Sequence, residues 1–437
     1  MVNTRRPMDN KLNSQGITPG NAPGSAPGYT GGQYSIVRVA IGLFLLLYLF
    51  LQLPMATTYY SNQGLLHDGK AAFILRVIPN VLSLSDQPQF IMWILLMAMG
   101  MCGLLMIGWY DRMAAGALWY LLACFHARNP LIGSMVVPLI GWVLLVHVLL
   151  PPSPYGSLSA RGRIDSRGIW SMPTEIYAAM WLLLVATYFY FGIDHITNEN
   201  WLSGDILYRT AAHPNVRPIW MRDIADMLSM GQWRMIARVI IVVELGFAPL
   251  ALFQRSRALL WSWTLVLHQA ILASVVFSRT NVGLLLLHMI CFDPSWIRPR
   301  PDNQTDMIFY DGSCGLCHNT VRFILAEDMS EEAFRFAPLD GEAFISMLSK
   351  EQRAHLPDSL VVKTVDGQVL LRSAGVIYIL RRLGGMWVIV ADFLSVVPRP
   401  VRDMAYNQLA KVRYKLFRRQ KDACPLMPPE WRSQFVL

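Results

Sequence analysis

The sequence predicts two unlike parts in one chain: a multi-pass α-helical membrane domain of about eight helices, followed by a small α/β domain organised around two cysteines. Three observations predict it. Of 437 residues, 54% are hydrophobic and 15% charged, and the mean hydropathy is +0.36, more apolar than an ordinary soluble enzyme. Membrane-length apolar runs are bunched between Ser35 and Cys291, with mixed, charge-rich sequence from Arg298 onward. The run Ile308-Phe309-Tyr310-Asp311-Gly312-Ser313-Cys314-Gly315-Leu316-Cys317 ends an apolar strand pattern at a turn and opens on two cysteines separated by two residues. The expected domains are a tail over residues 1–34, the membrane domain over 35–297, a linker over 298–305, the cysteine-bearing domain over 306–424 and a C-terminal tail over 425–437.

Taken in order, the first 34 residues are rich in Gly, Pro, Asn and Ser, lack the apolar core of a cleavable signal peptide, and read as disordered. A membrane-spanning helix needs about 20 mostly apolar residues. Runs of that kind lie near Ser35–Leu53, Phe90–Trp109, Arg112–Phe125, Leu131–Leu150, Pro173–Gly192, Arg234–Phe253, Ala258–Phe277 and Val282–Phe292. The third and eighth are short, and a run of about 10 to 14 apolar residues equally suits a re-entrant segment or a buried helix.

Loop charge sets the orientation, because short cytoplasmic loops carry excess Lys and Arg. With eight spans and a cytoplasmic N-terminus, the inner set is Arg5, Arg6, Lys11, Arg112, Arg161, Arg163, Arg167, Arg255, Arg257, Arg298 and Arg300. The outer set is Lys70, Arg76, Arg128, Arg209, Arg217, Arg222 and Arg279, mostly in two long loops that weigh less. The expectation is an integral membrane protein with its N-terminus and its C-terminal domain in the cytoplasm. The net charge of +9 is partly this bias, and the basic stretch Lys411 to Lys421 suits anionic headgroups of the lipid bilayer. No recognised module accompanies the basic residues, so nucleic acid is not an expected partner.

In the second domain, Asp306 to Tyr310 suits a buried strand, and Cys317 to Glu327 carries helical spacing through Val321, Ile324 and Leu325. Phe334-Arg335-Phe336 reads as a strand and Glu342 to Lys350 as a helix. Pro357 leads into a strand at Leu360-Val361-Val362, Asp366-Gly367 is a hairpin signal, Gln368 to Leu371 is the return strand, and Ser373 to Leu383 is a helix. Strand, C-x-x-C helix, strand, helix, Pro-led hairpin, helix is the thioredoxin-like order.

That order places Cys314 at a helix N-terminus, where free N–H groups and the helix dipole stabilise a thiolate. Cys314 is therefore the expected exposed nucleophile, and Cys317, about one turn on and more buried, the resolving thiol. Asp311 is a candidate for proton transfer with Cys317, although an Asp before Gly is also plain turn chemistry. Pro357 is a candidate cis-proline beside the sulfurs, with a trans turn proline the alternative.

At these residues the sequence resembles a known family. Tyr310 to Cys317, then Phe334-Arg335-Phe336-Ala337-Pro338-Leu339, Pro357-Asp358-Ser359-Leu360-Val361, Arg399-Pro400-Val401-Arg402-Asp403 and Tyr406 are similar to the DCC family of thiol-disulfide oxidoreductases, named for D-x-x-C-x-x-C. The resemblance spans roughly Asp306 to Cys424 and implies a thioredoxin-like fold and dithiol chemistry at Cys314 and Cys317, without naming a substrate. The membrane part resembles, more briefly, the HTTM family shared with vitamin K-dependent gamma-carboxylases, at Arg128-Asn129-Pro130, Val243-Glu244-Leu245, Leu267-His268-Gln269 and Cys291-Phe292. No lysine lies within any expected span, so carboxylase activity does not carry over, whereas a lipid or quinone pocket remains an implied cofactor site.

Ionisable groups inside a membrane draw functional attention because a central charge costs about 2.5–3.5 kcal/mol even on the lenient insertion scale. Glu244 and His268 fall near the middles of adjacent spans and are candidates to pair and to hold that cofactor, with a structural interhelical hydrogen bond as the plainer reading. His126, His147 and His288 lie near span ends and read as interfacial. His195 and His213 fall in a long external loop with Trp201, Trp220 and Trp233, and no ligand spacing there suggests a metal.

Zinc at the C-x-x-C is disfavoured because the next cysteine is the distant Cys424, itself either a plain thiol or a third redox partner, and His318 is adjacent to Cys317. Cys102, Cys124 and Cys291 read as packing residues. The expected function is a membrane-anchored thiol-disulfide oxidoreductase acting on a protein or small-molecule disulfide. The alternative is a transporter or lipid-binding membrane protein with a redox-sensing domain.

Overall fold

The computed structural model describes residues 25–66, 79–132, 136–160, 170–213, 223, 226–274, 279–297, 305–328, 332–354, 356, 360–417 and 429–436. They divide into two compact units: a helical one, Gly31–Arg163 with Met172–Trp296, and a sheet-bearing one built mainly from Ile297–Leu437.

In the helical unit a helix stands on each of the eight apolar runs: α1 (Gly31–Phe50), α2 (Pro88–Ile107), α3 (Asp111–Arg128), α4 (Val136–Leu149), α5 (Thr174–Thr197), α6 (Met230–Ala251), α7 (Gln254–Ser274) and α8 (Arg279–Cys291). Among the described residues, three helical stretches are long and apolar enough to cross a membrane: Gly31–Tyr60, Pro88–Ile107 and Thr174–Thr197. Apolar side chains face outward as well as inward, with Leu47 on α1, Trp93 on α2, Leu182 on α5 and Trp263 on α7 exposed.

Local chemistry explains the helix ends. Pro88 sits in the first turn of α2, where its missing N–H costs nothing, and Gly108 closes the helix at φ +68° with its N–H on the Leu104 and Leu105 carbonyls. Arg38 of α1, 0% exposed, completes that end: one guanidinium nitrogen donates to the Leu105 and Met106 carbonyls and another to the Gly156 carbonyl. Ser229 and Gln232 form a reciprocal capping box at the start of α6. The Arg128-Asn129-Pro130 motif anchors loops: Arg128 donates to Asn62 Oδ1 (2.7 Å), and the Asn129 amide donates to the Tyr59 carbonyl (2.8 Å).

The sheet-bearing unit runs β1 (Asp306–Tyr310), α9 (Gly315–Glu327), β2 (Phe334–Pro338), α10 (Glu342–Met347), α11 (Lys350–Ala354), β3 (Val361–Lys363), β4 (Val369–Leu371), α12 (Arg372–Leu383), α13 (Met386–Val396) and α14 (Arg399–Phe417). The sheet order is β2-β1-β3-β4. β1 pairs parallel with β2 (Ile308 opposite Phe336) and antiparallel with β3 (Ile308 opposite Val362), and β3 pairs antiparallel with β4 (Val362 opposite Leu370). The parallel pair needs the α9 crossover. The antiparallel pair turns through Asp366-Gly367, where Gly367 takes φ +80°. Ile308, Phe309, Phe334, Phe336, Val361 and Val362 are buried, so both faces of the central strands are covered.

Several sequence expectations are corrected. The helix expected over Glu342 to Lys350 is two helices, because Ser349 and Gln352 form reciprocal hydrogen bonds that start a new one. α13 and α14 are additional to the expected elements; Gly384 and Gly385 at positive φ precede α13, Pro398 separates the two helices and Pro400 lies in the first turn of α14. The supposed N-terminal tail is structured from Ser25: Ser25–Thr30 is extended, Tyr29 is buried, and Thr30 donates to Glu327, while residues 1–24 lie outside the described residues. Residues 429–436 are likewise structured rather than tail, with Trp431 buried and the Val436 N–H donating to the Phe336 carbonyl on β2 (2.8 Å).

The buried Asp306 carboxylate accepts from Tyr378 OH (2.9 Å) and the Val365 N–H (3.1 Å) and pairs with Arg382 Nε (3.4 Å). Asp306→Ala removes the carboxylate that faces the buried Arg382 and anchors Tyr378, and is expected to lower the stability of this unit by at most about 3–5 kcal/mol, read as a lower denaturant midpoint with unchanged slope.

Candidate redox site

β1 delivers the chain to a tight turn. Asp311 Oδ1 accepts from the Ser313 N–H and from Ser313 Oγ, both at 2.8 Å, and the Cys314 N–H returns to the Asp311 carbonyl (3.2 Å). Cys314 then takes extended backbone angles as the N-cap of α9, and its Sγ accepts from the Cys317 N–H at 3.3 Å. A thiol thus occupies the place usually filled by a Ser or Asp oxygen.

The two sulfurs have opposite acidities. The hydrogen bond from the Cys317 side chain, then the Cys317 backbone N–H and the Arg413 charge, outweigh burial and bring the Cys314 pKa down to about 7. The same side-chain hydrogen bond, with burial, pushes Cys317 far up. Burial alone would raise Asp311, but hydrogen bonds from Tyr414 and Ser313 and the charge of Arg413 hold it below the usual carboxylate range.

Arg413 and Tyr414 come from α14, and sequence reasoning missed both. Tyr414 OH donates to Asp311 Oδ2 (2.5 Å), Arg413 pairs with the same oxygen (3.2 Å) and also donates to Tyr414 OH (2.8 Å). Farther up the helix, Asp403 accepts from the Ser373 hydroxyl and N–H, and Tyr406 OH accepts from the Leu360 N–H (3.3 Å). Residues 402, 406, 409 and 413 follow helical spacing, a signal in the sequence that extends the recognised Arg399–Tyr406 motif to Arg413.

Exposure corrects one expectation. Cys314, read as the exposed thiol, is 0% exposed, and Cys317 is 7% exposed. Both cysteines belong to the core cluster against which Tyr414 packs, and Cys317 also lines a cavity of about 510 Å³ with Leu316, Val376, Leu394, Val401 and Arg402. Pro357 and Cys424 lie outside the described residues.

Asp311, Cys314 and Cys317 offer three potential metal ligands within 4.8 Å of one another. The adjacent His318 commits Nε2, donating to the Gly312 carbonyl at 2.7 Å, which steadies the turn instead of adding a fourth ligand.

Glu244 and His268 do not pair. Glu244 takes His195 Nδ1 (2.7 Å), whose ring stacks on Trp201 at 3.7 Å. His268 meets Tyr188 OH (2.7 Å) and Asn281 (2.8 Å), and Tyr188 OH also meets His288 Nε2 (3.1 Å), which Thr264 Oγ1 approaches to 2.8 Å. The separation is helical arithmetic: both partners, Tyr188 and His195, lie on one face of α5 but seven residues apart, roughly 10.5 Å along its axis. His195 therefore belongs to a helix and not to an external loop, and His288, expected at an interface, is 0% exposed inside the bundle. His147, also expected near an interface, is buried against Tyr34 and Asp111.

Residues 308–419 match the model of the DCC1-like thiol-disulfide oxidoreductase family. The chain is 37% identical over 134 residues to the uncharacterized protein YuxK of Bacillus subtilis, covering 93% of that protein and 30% of this chain. It is 30% identical over 125 residues to a chloroplastic DCC family protein of Arabidopsis thaliana, covering 72% of that protein and 29% of this chain. No solved structure matches. Through its C-terminal sheet-bearing unit, the chain belongs to the DCC family of thiol-disulfide oxidoreductases.

Proposed function

We propose that this chain is a membrane-anchored thiol-disulfide oxidoreductase that passes electron pairs between Cys314 and Cys317 and a disulfide substrate. The observation that carries the reading is the Cys314 thiol capping α9, acidified to about 7 and backed by a thiol that keeps its proton. About half of Cys314 is then thiolate at neutral pH, the form that breaks sulfur–sulfur bonds, and a pKa near ambient pH is the optimum for exchange. Asp311 contributes by fixing Arg413 beside the sulfurs.

The membrane anchor in this proposal is the bundle α1 to α8, crossing with both chain ends in the cytoplasm as the loop charges favour. Its three long apolar stretches support the reading. The HTTM-like resemblance belongs to the same proposal. Glu244 and His268, which that resemblance made candidates for holding a quinone or lipid, sit in two separate hydrogen-bonded groups, so no step is derived through such a molecule. The buried Tyr188, His268 and His288 group favours a second reading, a transporter or lipid-binding bundle regulated by the redox domain. An unshifted Cys314 would support that reading over the enzyme.

Three outcomes check the proposal. The rate of iodoacetamide alkylation of Cys314 in the full chain should rise through a midpoint near pH 7. Cys317→Ala removes the largest acidifying interaction and should move that midpoint up toward the free-thiol value of about 8.5. Cys314→Ser should reduce turnover of disulfide substrates, followed by thiol trapping, to the uncatalysed rate; retained turnover would refute the enzyme.

A further inference from the structure

Tyr188 of α5, Thr264 and His268 of α7 and His288 of α8 are all buried in the helical unit, and their polar ends meet. Both imidazoles turn Nε2 toward the phenol: Tyr188 Oη lies 2.7 Å from His268 Nε2 and 3.1 Å from His288 Nε2. Thr264 Oγ1 stands 2.8 Å from the same His288 nitrogen. The far side of each ring is fixed. His288 Nδ1 meets the Leu284 carbonyl at 2.7 Å, and because a carbonyl only accepts, Nδ1 carries the proton and Nε2 of the neutral ring presents a lone pair. His268 Nδ1 faces Asn281 Oδ1 at 2.8 Å, which leaves a lone pair on its Nε2 as well.

The protons of this group fall short of its contacts. Tyr188 and Thr264 bring one hydroxyl proton each, and Thr264 Oγ1 also stands 2.9 Å from the Leu260 carbonyl, the usual partner of a helical threonine. Even with the phenol donating to His268 and Thr264 donating to His288, the Tyr188 oxygen and His288 Nε2 face each other lone pair to lone pair. A cation between them satisfies both. Nε2 atoms that converge while each Nδ1–H is held by a backbone carbonyl or a side-chain oxygen are the arrangement of metal-binding histidines. The spacing fits as well. Two donors each about 2.0 Å from one ion lie about 2.8 Å apart at a right angle and about 3.3 Å apart at the tetrahedral angle. The separations here, 2.7, 2.8 and 3.1 Å, are within about a tenth of an ångström of that range.

We infer that Tyr188, Thr264, His268 and His288 form a binding site for one divalent first-row transition-metal ion inside the helical unit. His268 Nε2, His288 Nε2 and Tyr188 Oη are the ligands, and Thr264 Oγ1 completes the set. Imidazole donors suit zinc, copper or iron and not magnesium or calcium, which prefer oxygen cages. On binding, bonds form from the ion to two nitrogens and the phenol oxygen, the Tyr188 O–H bond breaks, and its proton leaves to solvent. The phenolate offsets one of the two positive charges, and no electron moves. The ion ties α5, α7 and α8 together. None of its ligands takes part in the dithiol chemistry.

The test uses the full chain in detergent, stripped with a chelator and titrated with Co²⁺, whose visible d–d bands report its ligands. Cys314→Ser with Cys317→Ser removes the thiols that would compete for the ion and is the background throughout. In it, Co²⁺ should bind at about one equivalent per chain by elemental mass spectrometry, with the intense bands of a four-coordinate site, and Zn²⁺ should displace it. Asn281→Leu, which unties His268 Nδ1, should weaken binding about 10- to 100-fold, and Tyr188→Phe, which removes a ligand, should weaken it by more. Tyr188→Phe keeps the ring stacked on Phe247 and loses only the hydroxyl, so its loss of metal is not a loss of packing. His195→Gln, at the ring held by Glu244, should leave binding unchanged.

No uptake of Co²⁺ or Zn²⁺ by the background chain would overturn the inference, whatever the variants do. Uptake confined to chains that keep Cys314 and Cys317 would put the ion on the dithiol and overturn it equally. So would a Co²⁺ spectrum and affinity that Tyr188→Phe leaves unaltered.

Discussion

One hydrogen bond fixes the geometry of the two sulfurs: the Cys317 N–H donating to Cys314 Sγ at the first turn of α9. Helix starts carry N–H groups with no partner in the helix, and here one of them is spent on sulfur. The bond requires Cys314 to sit outside the helix in extended geometry, and the Asp311 turn sets that geometry. It also requires Cys317 three residues on, which fixes the spacing of the motif. Acidity then follows, because Cys314 accepts first from the Cys317 thiol and next from its N–H and so carries the charge, while Cys317 retains the proton.

The rest of the sheet-bearing unit serves that turn. β1, buried on both faces, aims the chain at it, and β2 and β3 hold β1 from either side. α14 closes over the turn from outside through Arg413 and Tyr414, and it is fastened upstream by Asp403 on Ser373 and Tyr406 on Leu360. Asp311 is the hinge pin of the arrangement: one carboxylate oxygen shapes the turn and the other receives α14. This dual duty gives a physical reason for an aspartate at the head of the D-x-x-C-x-x-C motif beyond ordinary turn chemistry.

Much of this was legible in the sequence and some was not. Strong local signals read correctly: the strand into the cysteines, the α9 spacing, the Asp366-Gly367 hairpin and the positions of the eight long helices all depend on near neighbours. The acidified Cys314 was legible for the same reason. What failed depended on distant residues. The burial of Cys314 comes from Tyr414 and the surrounding core, a hundred residues away in the chain, and no local pattern announces it. Glu244 and His268 are each near the middle of a helix, but their partners are set by the phase of α5, which a linear reading does not supply. Arg38 was passed over and His288 was placed at an interface because an apolar run conceals a polar residue whose hydrogen bonds are made on other helices.

The pairing of Val436 with Phe336 bears on how large molecules can approach. An unpaired sheet edge is a standing invitation to another chain, whether a peptide ligand or a misassembled neighbour. Here Phe435 and Val436 cover the middle of the β2 edge, leaving β4 at the other border of the sheet. A visiting strand must therefore add beside β4 or displace the segment around Phe435 and Val436.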